Sequence, residues 1–206
     1  MKKLLAMGAL LSLGAYAQGF SVGLDGGLYD DNFAGSLSVV GADPMFEQTP
    51  VYWRLGVSYG SSDVLNEESV SSLADESGYG IVTFLDGLYS VTPAEEPLKA
   101  GLYGGARVRY LNGDYEVSGE KLTQIDSTSF GLGAGVFAYY PLAERAGLTF
   151  DVGLDYFFNR DITCDALYTD PETLFCEELE DQLAGSQAVF KARVGVSYTL
   201  GASAEK

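Results

Sequence analysis

The chain has 206 residues, contains no histidine and carries a formal net charge of −17. This length leaves room for one domain, and the negative charge makes nucleic acids and anionic lipid surfaces poor partners. The absence of histidine excludes Ser-His and Asp-His catalysis, and no strand-to-helix phosphate loop is present, so we expect no enzymatic activity. The 26 glycines and 14 tyrosines are typical of closely packed β structure.

The first 17 residues have the three parts of a secretory signal peptide. Two lysines are followed by a short apolar run, Leu4 to Leu13, and then by the cleavage-site pattern Ala15-Tyr16-Ala17. The run is shorter than the about 20 apolar residues that a spanning helix needs. We therefore predict removal of residues 1–17 and a mature chain that starts at Gln18 with a net charge of −19, since both lysines are lost.

Apolar and polar side chains alternate with a period of two in eight segments of the mature chain. In chain order these segments are Phe20–Tyr29, Gly35–Ala42, Val51–Gly60, Tyr79–Val91, Leu98–Tyr110, Ser129–Tyr140, Leu148–Phe158 and Gln187–Leu200. Such alternation predicts β-strands, and a length of about ten residues suits tilted transmembrane strands. The second segment is too short to fix its phase. In the fourth, Phe84 and Leu88 share a face with Asp86.

The connections between these segments alternate in length. Short connections at 43–50, 92–97 and 141–147 alternate with long ones at 61–78, 112–127 and 159–186, and the first turn, 30–34, is the exception because it is short. An up-and-down barrel places its short turns on one rim and its long loops on the other. We therefore predict one all-β domain over 18–201, an eight-stranded antiparallel up-and-down transmembrane β-barrel, with a short tail at 202–206.

The polar faces of the predicted strands carry ten charged residues. They include six of the ten basic residues of the mature chain, although the protein as a whole is acidic. Unpaired charge is costly in a narrow lumen, so these residues predict a paired network inside the barrel. Asp151 and Asp155 are about 13 Å apart at roughly 3.3 Å per residue, too far for a glycosidase pair. The predicted network comprises Asp25, Arg54, Asp86, Lys99, Arg107, Arg109, Asp151, Asp155, Lys191 and Arg193.

The apolar faces are predicted to meet lipid, because their aromatic residues gather near the strand ends and aliphatic residues lie between them. One group of aromatics lies near the short turns: Phe20, Trp53, Tyr89, Tyr140, Phe150 and Tyr198. The other lies near the long loops: Tyr59, Tyr79, Tyr110, Phe130, Tyr156 and Phe158. The polar faces are rich in glycine, which leaves room for long side chains in a lumen that eight strands make narrow.

Over nearly the whole mature chain this pattern resembles the small outer-membrane barrels of the OmpA/OmpX type. The resemblance implies a location in the bacterial outer membrane, with short turns facing the periplasm and long loops outside. Barrels of this type usually end on an aromatic residue. Here the last strand ends Tyr198-Thr199-Leu200 and a tail follows, so the position of the assembly signal differs from the usual pattern.

The predicted long loops carry two further features. Cys164 and Cys176 are the only cysteines, and a secreted protein would normally join so close a pair in a disulfide. The loops are strongly acidic, and Glu177, Glu178, Glu180 and Asp181 form their densest cluster. The acidity is typical of a repulsive, soluble outer surface. Alternatively it predicts Ca²⁺ binding, which would bridge to surface polysaccharide or a partner protein, although the cluster lacks the regular spacing of a calcium loop.

Three functions remain open from the sequence. The favoured one is a structural or surface-interaction barrel with a filled or narrow polar lumen. The second is a narrow channel for small solutes, and the third is a soluble periplasmic ligand-binding barrel of the lipocalin kind. The crowded lumen argues against the second, and the aromatic girdles argue against the third.

Overall fold

The protein is an eight-stranded antiparallel β-barrel, seen in a computed structural model that describes residues 20–30, 32–42, 51–61, 74–93, 96–117, 120–166 and 186–200. The strands are β1 Phe20–Tyr29, β2 Asn32–Ala42, β3 Val51–Ser61, β4 Ala74–Ser90, β5 Lys99–Val117, β6 Glu120–Pro141, β7 Ala146–Ala166 and β8 Gln187–Leu200. Each strand pairs with its neighbour in the chain, and β8 pairs with β1 to close the barrel. Across these described ranges, no helix is long and apolar enough to cross a membrane.

The register of the strand pairs shifts by ten residues over one full circuit of the barrel. A path that follows directly paired residues from Lys99 passes Thr149 on β7 and Asp25 on β1, and it returns to β5 at Arg109. Such a shift requires the strands to tilt, typically by about 35–45° from the barrel axis. With eight strands, the enclosed space is narrow enough for the inward side chains to fill most of it.

Most of the large apolar side chains point away from the lumen. Phe33 and Phe130 are 68% and 64% exposed, and further exposed residues surround the barrel, among them Leu24, Leu37, Leu85, Leu102, Leu132, Val136, Val152, Leu154, Val194 and Val196. Soluble monomers rarely expose contiguous apolar patches larger than a few hundred Å². This apolar band is therefore the lipid-facing surface, and the predicted direction of the apolar face is confirmed.

Tyrosines border the apolar band at the long-loop rim. Tyr59, Tyr79 and Tyr110 lie on the adjacent strands β3, β4 and β5. Their ring centroids are 5.8 Å apart for the first pair and 6.4 Å apart for the second. Rings in this position have one apolar side toward the acyl chains and a hydroxyl toward the headgroups, which anchors the barrel at the membrane surface.

The structure resolves the phase of the two ambiguous strands. On β2, Phe33 and Leu37 face outward, whereas Ser36 and Ser38 are buried in the lumen. On β4, the inward face holds the buried residues Val82, Phe84, Asp86 and Leu88, and the outward face holds Leu85 and Tyr89. Phe84 therefore lies among charged lumen side chains, where its ring can face cations.

Several strands are longer than the sequence pattern predicts. β4 begins at Ala74. β5 ends at Val117 and β6 begins at Glu120, so most of the loop predicted at 112–127 is strand. β7 likewise continues to Ala166, inside the loop predicted at 159–186. The alternation fades because the outward face is no longer lipid-facing beyond the tyrosines. The backbone pairing nevertheless continues, as between Asn112 and Asp126.

The first turn is tighter than predicted, because β2 begins at Asn32 rather than Gly35. Asp30 follows β1 with a φ of 58°, in the left-handed region that aspartate tolerates better than most residues. Its backbone N–H donates to the carbonyl of Phe190 at 2.7 Å, which ties the turn to β8. The predicted signal peptide and C-terminal tail lie outside the described residues and stay predictions.

Candidate functional site

The centre of the lumen holds one continuous chain of ion pairs in which basic and acidic residues alternate. Five strands, β3, β4, β5, β7 and β8, contribute to it. Because both ends of the chain are basic, it contains four cations and three carboxylates. In order of contact its members are Arg193, Asp151, Arg54, Asp86, Arg107, Asp155 and Lys191.

Asp86 is the middle of this ion chain. One of its carboxylate oxygens lies 2.7 Å from Arg54 Nη2, and the other lies 2.5 Å from Arg107 Nη1. The side chains of Asp86 and Arg107 have no solvent exposure, and that of Arg54 is 9% exposed. At such burial, each charge depends on its partner to offset the lost hydration.

The two other carboxylates each join two bases. Asp151 Oδ2 lies 2.5 Å from Arg54 Nη1 and 3.2 Å from Arg193 Nη2. Asp155 Oδ1 accepts hydrogen bonds from Arg107 Nε at 2.9 Å and from Lys191 Nζ at 2.8 Å. The ion chain therefore crosses the lumen from β8 through β7 to β3, and it returns through β4 and β5 to β7 and β8.

Hydroxyl groups complete the hydrogen bonding of the carboxylates in the ion chain. Tyr103 donates to Asp151 Oδ1 at 3.0 Å, and Tyr29 donates to Asp155 Oδ2 at 3.1 Å. With these bonds, all six oxygens of the three carboxylates accept at least one hydrogen bond. On the cationic side, Arg193 Nη1 donates to Ser36 and Ser58 at 3.1 and 3.2 Å. The carboxylate oxygens of this buried network are therefore all paired, whereas Arg107 Nη2 and Arg193 Nε have no hydrogen-bond partner among the described residues.

Aromatic rings compensate the excess of positive charge. The Phe84 ring centroid lies 5.5, 5.6 and 5.2 Å from the guanidinium carbons of Arg54, Arg107 and Arg193. The Tyr103 ring lies 4.8 Å from Arg54 and 5.0 Å from the Lys191 ammonium. The negative faces of these rings attract cations, most strongly where water is excluded.

Glycines make room for the ion chain. β6 contributes none of its seven members; its inward face at this level is Gly131, Gly133 and Gly135. A Cβ atom at Gly133 would overlap both Asp155 Oδ1 and Arg107 Nη2, the two partners of one ion pair. A Cβ atom at Gly135 would meet the Tyr103 hydroxyl. The glycine-rich inner face of β6 is therefore what allows side chains from β5 to reach those of β7.

Three predicted members of the charge network stand outside the ion chain. Asp25 accepts a hydrogen bond from the Thr149 hydroxyl. Gly195 lies between the two residues, and a Cβ atom there would meet the Asp25 carboxylate. Lys99 donates to the carbonyl of Pro93 at 2.9 Å, near the short-turn rim. Arg109 is buried on the long-loop side, where its guanidinium stacks over the Phe157 ring at 4.0 Å.

The ion chain separates two spaces in the lumen. A cavity of about 50 Å³ lies on the long-loop side, bounded by residues that include Tyr29, Ser58, Arg109 and Gln187. A larger cavity of about 290 Å³, the short-turn cavity, lies on the other side. It is lined by Ser21, Gly23, Asp25, Ser38, Val40, Gly41, Tyr52, Arg54, Leu88, Lys99, Phe137, Ala138, Tyr139, Thr149, Phe150, Asp151, Ser197 and Thr199.

Two sequence-based site predictions remain untested. Cys164 lies in β7 opposite Ile125, but its predicted disulfide partner, Cys176, lies outside the described residues. The same holds for the proposed cation cluster, Glu177, Glu178, Glu180 and Asp181. In the parts of the chain that the structure does describe, no group of three or more acidic, cysteine or histidine residues is placed to hold a metal ion.

Sequence reasoning missed the neutral members of the site. Phe84 interrupts the expected pattern of β4, and the sequence assigns no role to Tyr29, Ser36 or Ser58. One signal was available for Phe84, because an aromatic residue in phase with lumen cations is well placed for cation–π contact. No signal identified the hydroxyl partners, since their contacts depend on how far each side chain reaches across the lumen.

The fold resembles that of a known outer-membrane protein over most of this chain. The crystal structure of a major outer membrane protein from Thermus thermophilus has a TM-score of 0.70 and 27% sequence identity, covering 90% of this chain and 100% of that one. The structure of Ail, the attachment invasion locus protein of Yersinia pestis, has a TM-score of 0.50 and 13% identity, covering 88% and 97% of the two chains. No family model and no curated protein matches the sequence.

These similarities agree with the distribution of apolar and charged side chains in the barrel. The apolar band requires lipid around it, and the charges are enclosed within it. The Thermus thermophilus structure that it resembles is that of a major outer membrane protein. The chain thus forms a small eight-stranded barrel that resembles the outer-membrane barrels of the OmpA/OmpX type, and its place is the bacterial outer membrane.

Proposed function

We propose that the protein is a structural and surface-interaction barrel whose lumen is closed, with no catalytic role. The observation that carries this proposal is the ion chain, which joins five of the eight strands across the centre of the lumen. It stiffens the barrel and occupies the path that a solute would take. The absence of histidine supports a non-catalytic role.

The main alternative is a narrow channel for small solutes. Two cavities flank the ion chain, so the closed section of the lumen is short. Opening it would require separating buried ion pairs, and breaking one such pair costs about 3–5 kcal/mol. A penalty of a few kcal/mol leaves an open state populated at the level of about 1% or less. The energetics therefore favour the closed barrel.

The outer end of the barrel carries the proposed interaction surface. On the extended β5 and β6, Asp126 accepts hydrogen bonds from Tyr110 at 2.6 Å and from Asn112 at 2.7 Å. These two bonds fix the Asp126 carboxylate beside the tyrosines of the apolar band. We propose that this surface contacts a polysaccharide or protein, with or without Ca²⁺. Titration calorimetry of the folded protein tests the calcium prediction, which fails if no calcium binds.

Planar-bilayer recordings test the closed lumen. We expect the wild-type protein to give no steady conductance, because the ion chain closes the lumen. Arg107→Ala removes one of the two bases that flank Asp86 and is expected to raise the frequency of openings. Lys99→Ala, at the wall of the short-turn cavity, is the matched control and should remain silent. Frequent, stable openings of the wild-type protein would favour the channel instead.

A further inference from the structure

The short-turn cavity has the features of a binding site. At about 290 Å³ it lies just below the range of cavities that hold drug-sized ligands, about 300–1,000 Å³. All eight strands contribute to its wall, so a rigid scaffold fixes the positions of its side chains. A space of this size can hold an occupant larger than a single water molecule.

Hydroxyl groups dominate the polar part of the wall. Each hydroxyl can both donate and accept a hydrogen bond. Two contacts hold some of them in place: Ser21 bonds Thr199 at 3.0 Å, and Thr149 donates to Asp25. The seven hydroxyl residues are Ser21, Ser38, Tyr52, Tyr139, Thr149, Ser197 and Thr199.

The charges on the wall are balanced, and most of the surface that faces the cavity is carbon. Asp25 and Asp151 are matched by Arg54 and Lys99, so the cavity attracts neither a strong anion nor a strong cation. Val40, Leu88 and Phe137 supply carbon surface between the polar groups. A ligand that suits this wall is neutral, carries several hydroxyls and presents C–H groups to the apolar residues.

We propose that the short-turn cavity binds a neutral polyhydroxylated solute of about monosaccharide size. Its volume of about 290 Å³ is large enough for a six-carbon sugar or polyol. Arg54 and Asp151, held in the ion chain, form its inner end. The ligand therefore enters from the periplasm, and the site is independent of the surface role proposed above.

Nuclear magnetic resonance of the full chain, refolded in detergent micelles, tests the site with D-glucose as the probe. Titration should shift the backbone amide signals of Ser21, Ser197 and Thr199 and saturate in the millimolar range. The signals of Tyr29 and Gln187, on the other side of the ion chain, should not move. Glycine, a zwitterion, should give at least about tenfold weaker binding, because it lacks the hydroxyls.

Two substitutions separate binding from folding. Val40→Phe places a ring in the cavity and should abolish the saturable shifts, whereas Val194→Phe makes the same change on the lipid face, where Val194 is 52% exposed, and should leave them unchanged. Asp25→Asn should weaken glucose binding about tenfold, since a charged acceptor is lost. Heat-dependent gel mobility confirms that each variant is folded. Shifts that do not saturate, that glycine reproduces equally, or that survive Val40→Phe would overturn the proposal.

Discussion

Replacing Asp86 by alanine is expected to lower the free energy of unfolding by about 3–5 kcal/mol, the cost of removing one partner from a buried ion pair. Asp86 contacts both Arg54 and Arg107, at 2.7 and 2.5 Å, so its loss leaves two buried guanidinium groups without the carboxylate that they share. Urea unfolding of the protein in lipid vesicles, followed by the fluorescence of its single tryptophan, measures the change.

The matched control is Asp25→Ala, which removes the same side chain from the wall of the short-turn cavity. Asp25 is half-buried and accepts from the Thr149 hydroxyl, so its removal should cost only about 1 kcal/mol. If the two substitutions destabilise the barrel equally, the ion chain is no more important than an ordinary lumen hydrogen bond, and the account of the closed lumen is wrong.

Substituting Gly133 by alanine is expected to cost about 3 kcal/mol, at the upper end of the range for overpacking a well-filled interior. The added methyl group would overlap Asp155 and Arg107 at once and would force the members of that ion pair apart. The same unfolding experiment measures the loss. The variant should also convert more readily to the unfolded form on heating in detergent.

Gly104→Ala provides the control for this change. Gly104 lies on the adjacent strand β5 but faces outward, and the nearest atom to an added Cβ is the Gly133 carbonyl oxygen at 3.6 Å. The methyl group would enter open space on the lipid side, so we expect a change within about 0.5 kcal/mol. Equal losses in the two variants would mean that glycine is needed in β5 and β6 for the backbone rather than for the ion pair.

The membrane-spanning part of the fold was predictable because lipid imposes a strict rule on it. Every second residue must be apolar where strands cross the acyl chains, and the segments between the aromatic girdles obey this rule. The rule ends at the membrane surface, which is why the side-chain pattern predicts a loop where β5 continues beyond Tyr110 and β6 precedes Phe130. Backbone hydrogen bonds hold those extensions together, and they leave little trace in the pattern of side chains.

The ion chain was only partly predictable. Arg54 and Asp86 are direct cross-strand partners, as are Asp151 and Arg193, so their proximity follows from the strand order and register. The contact between Arg54 and Asp151 crosses the lumen between β3 and β7, and no sequence pattern encodes it. It depends on the stagger of the strands and on the space that glycine leaves beside each long side chain.

The direction of the apolar face is tested most directly by Trp53, the only tryptophan of the chain. It lies on β3 next to the buried Arg54, on the opposite, outward face, and its ring covers Gly41 of β2. We would reconstitute the wild-type protein in vesicles of lipids brominated near the headgroup end of the acyl chains. Strong quenching of its fluorescence, with weak quenching by iodide in the water, is the predicted result. Fluorescence that is unaffected by brominated lipid but quenched by iodide would place the apolar face inward and contradict the account.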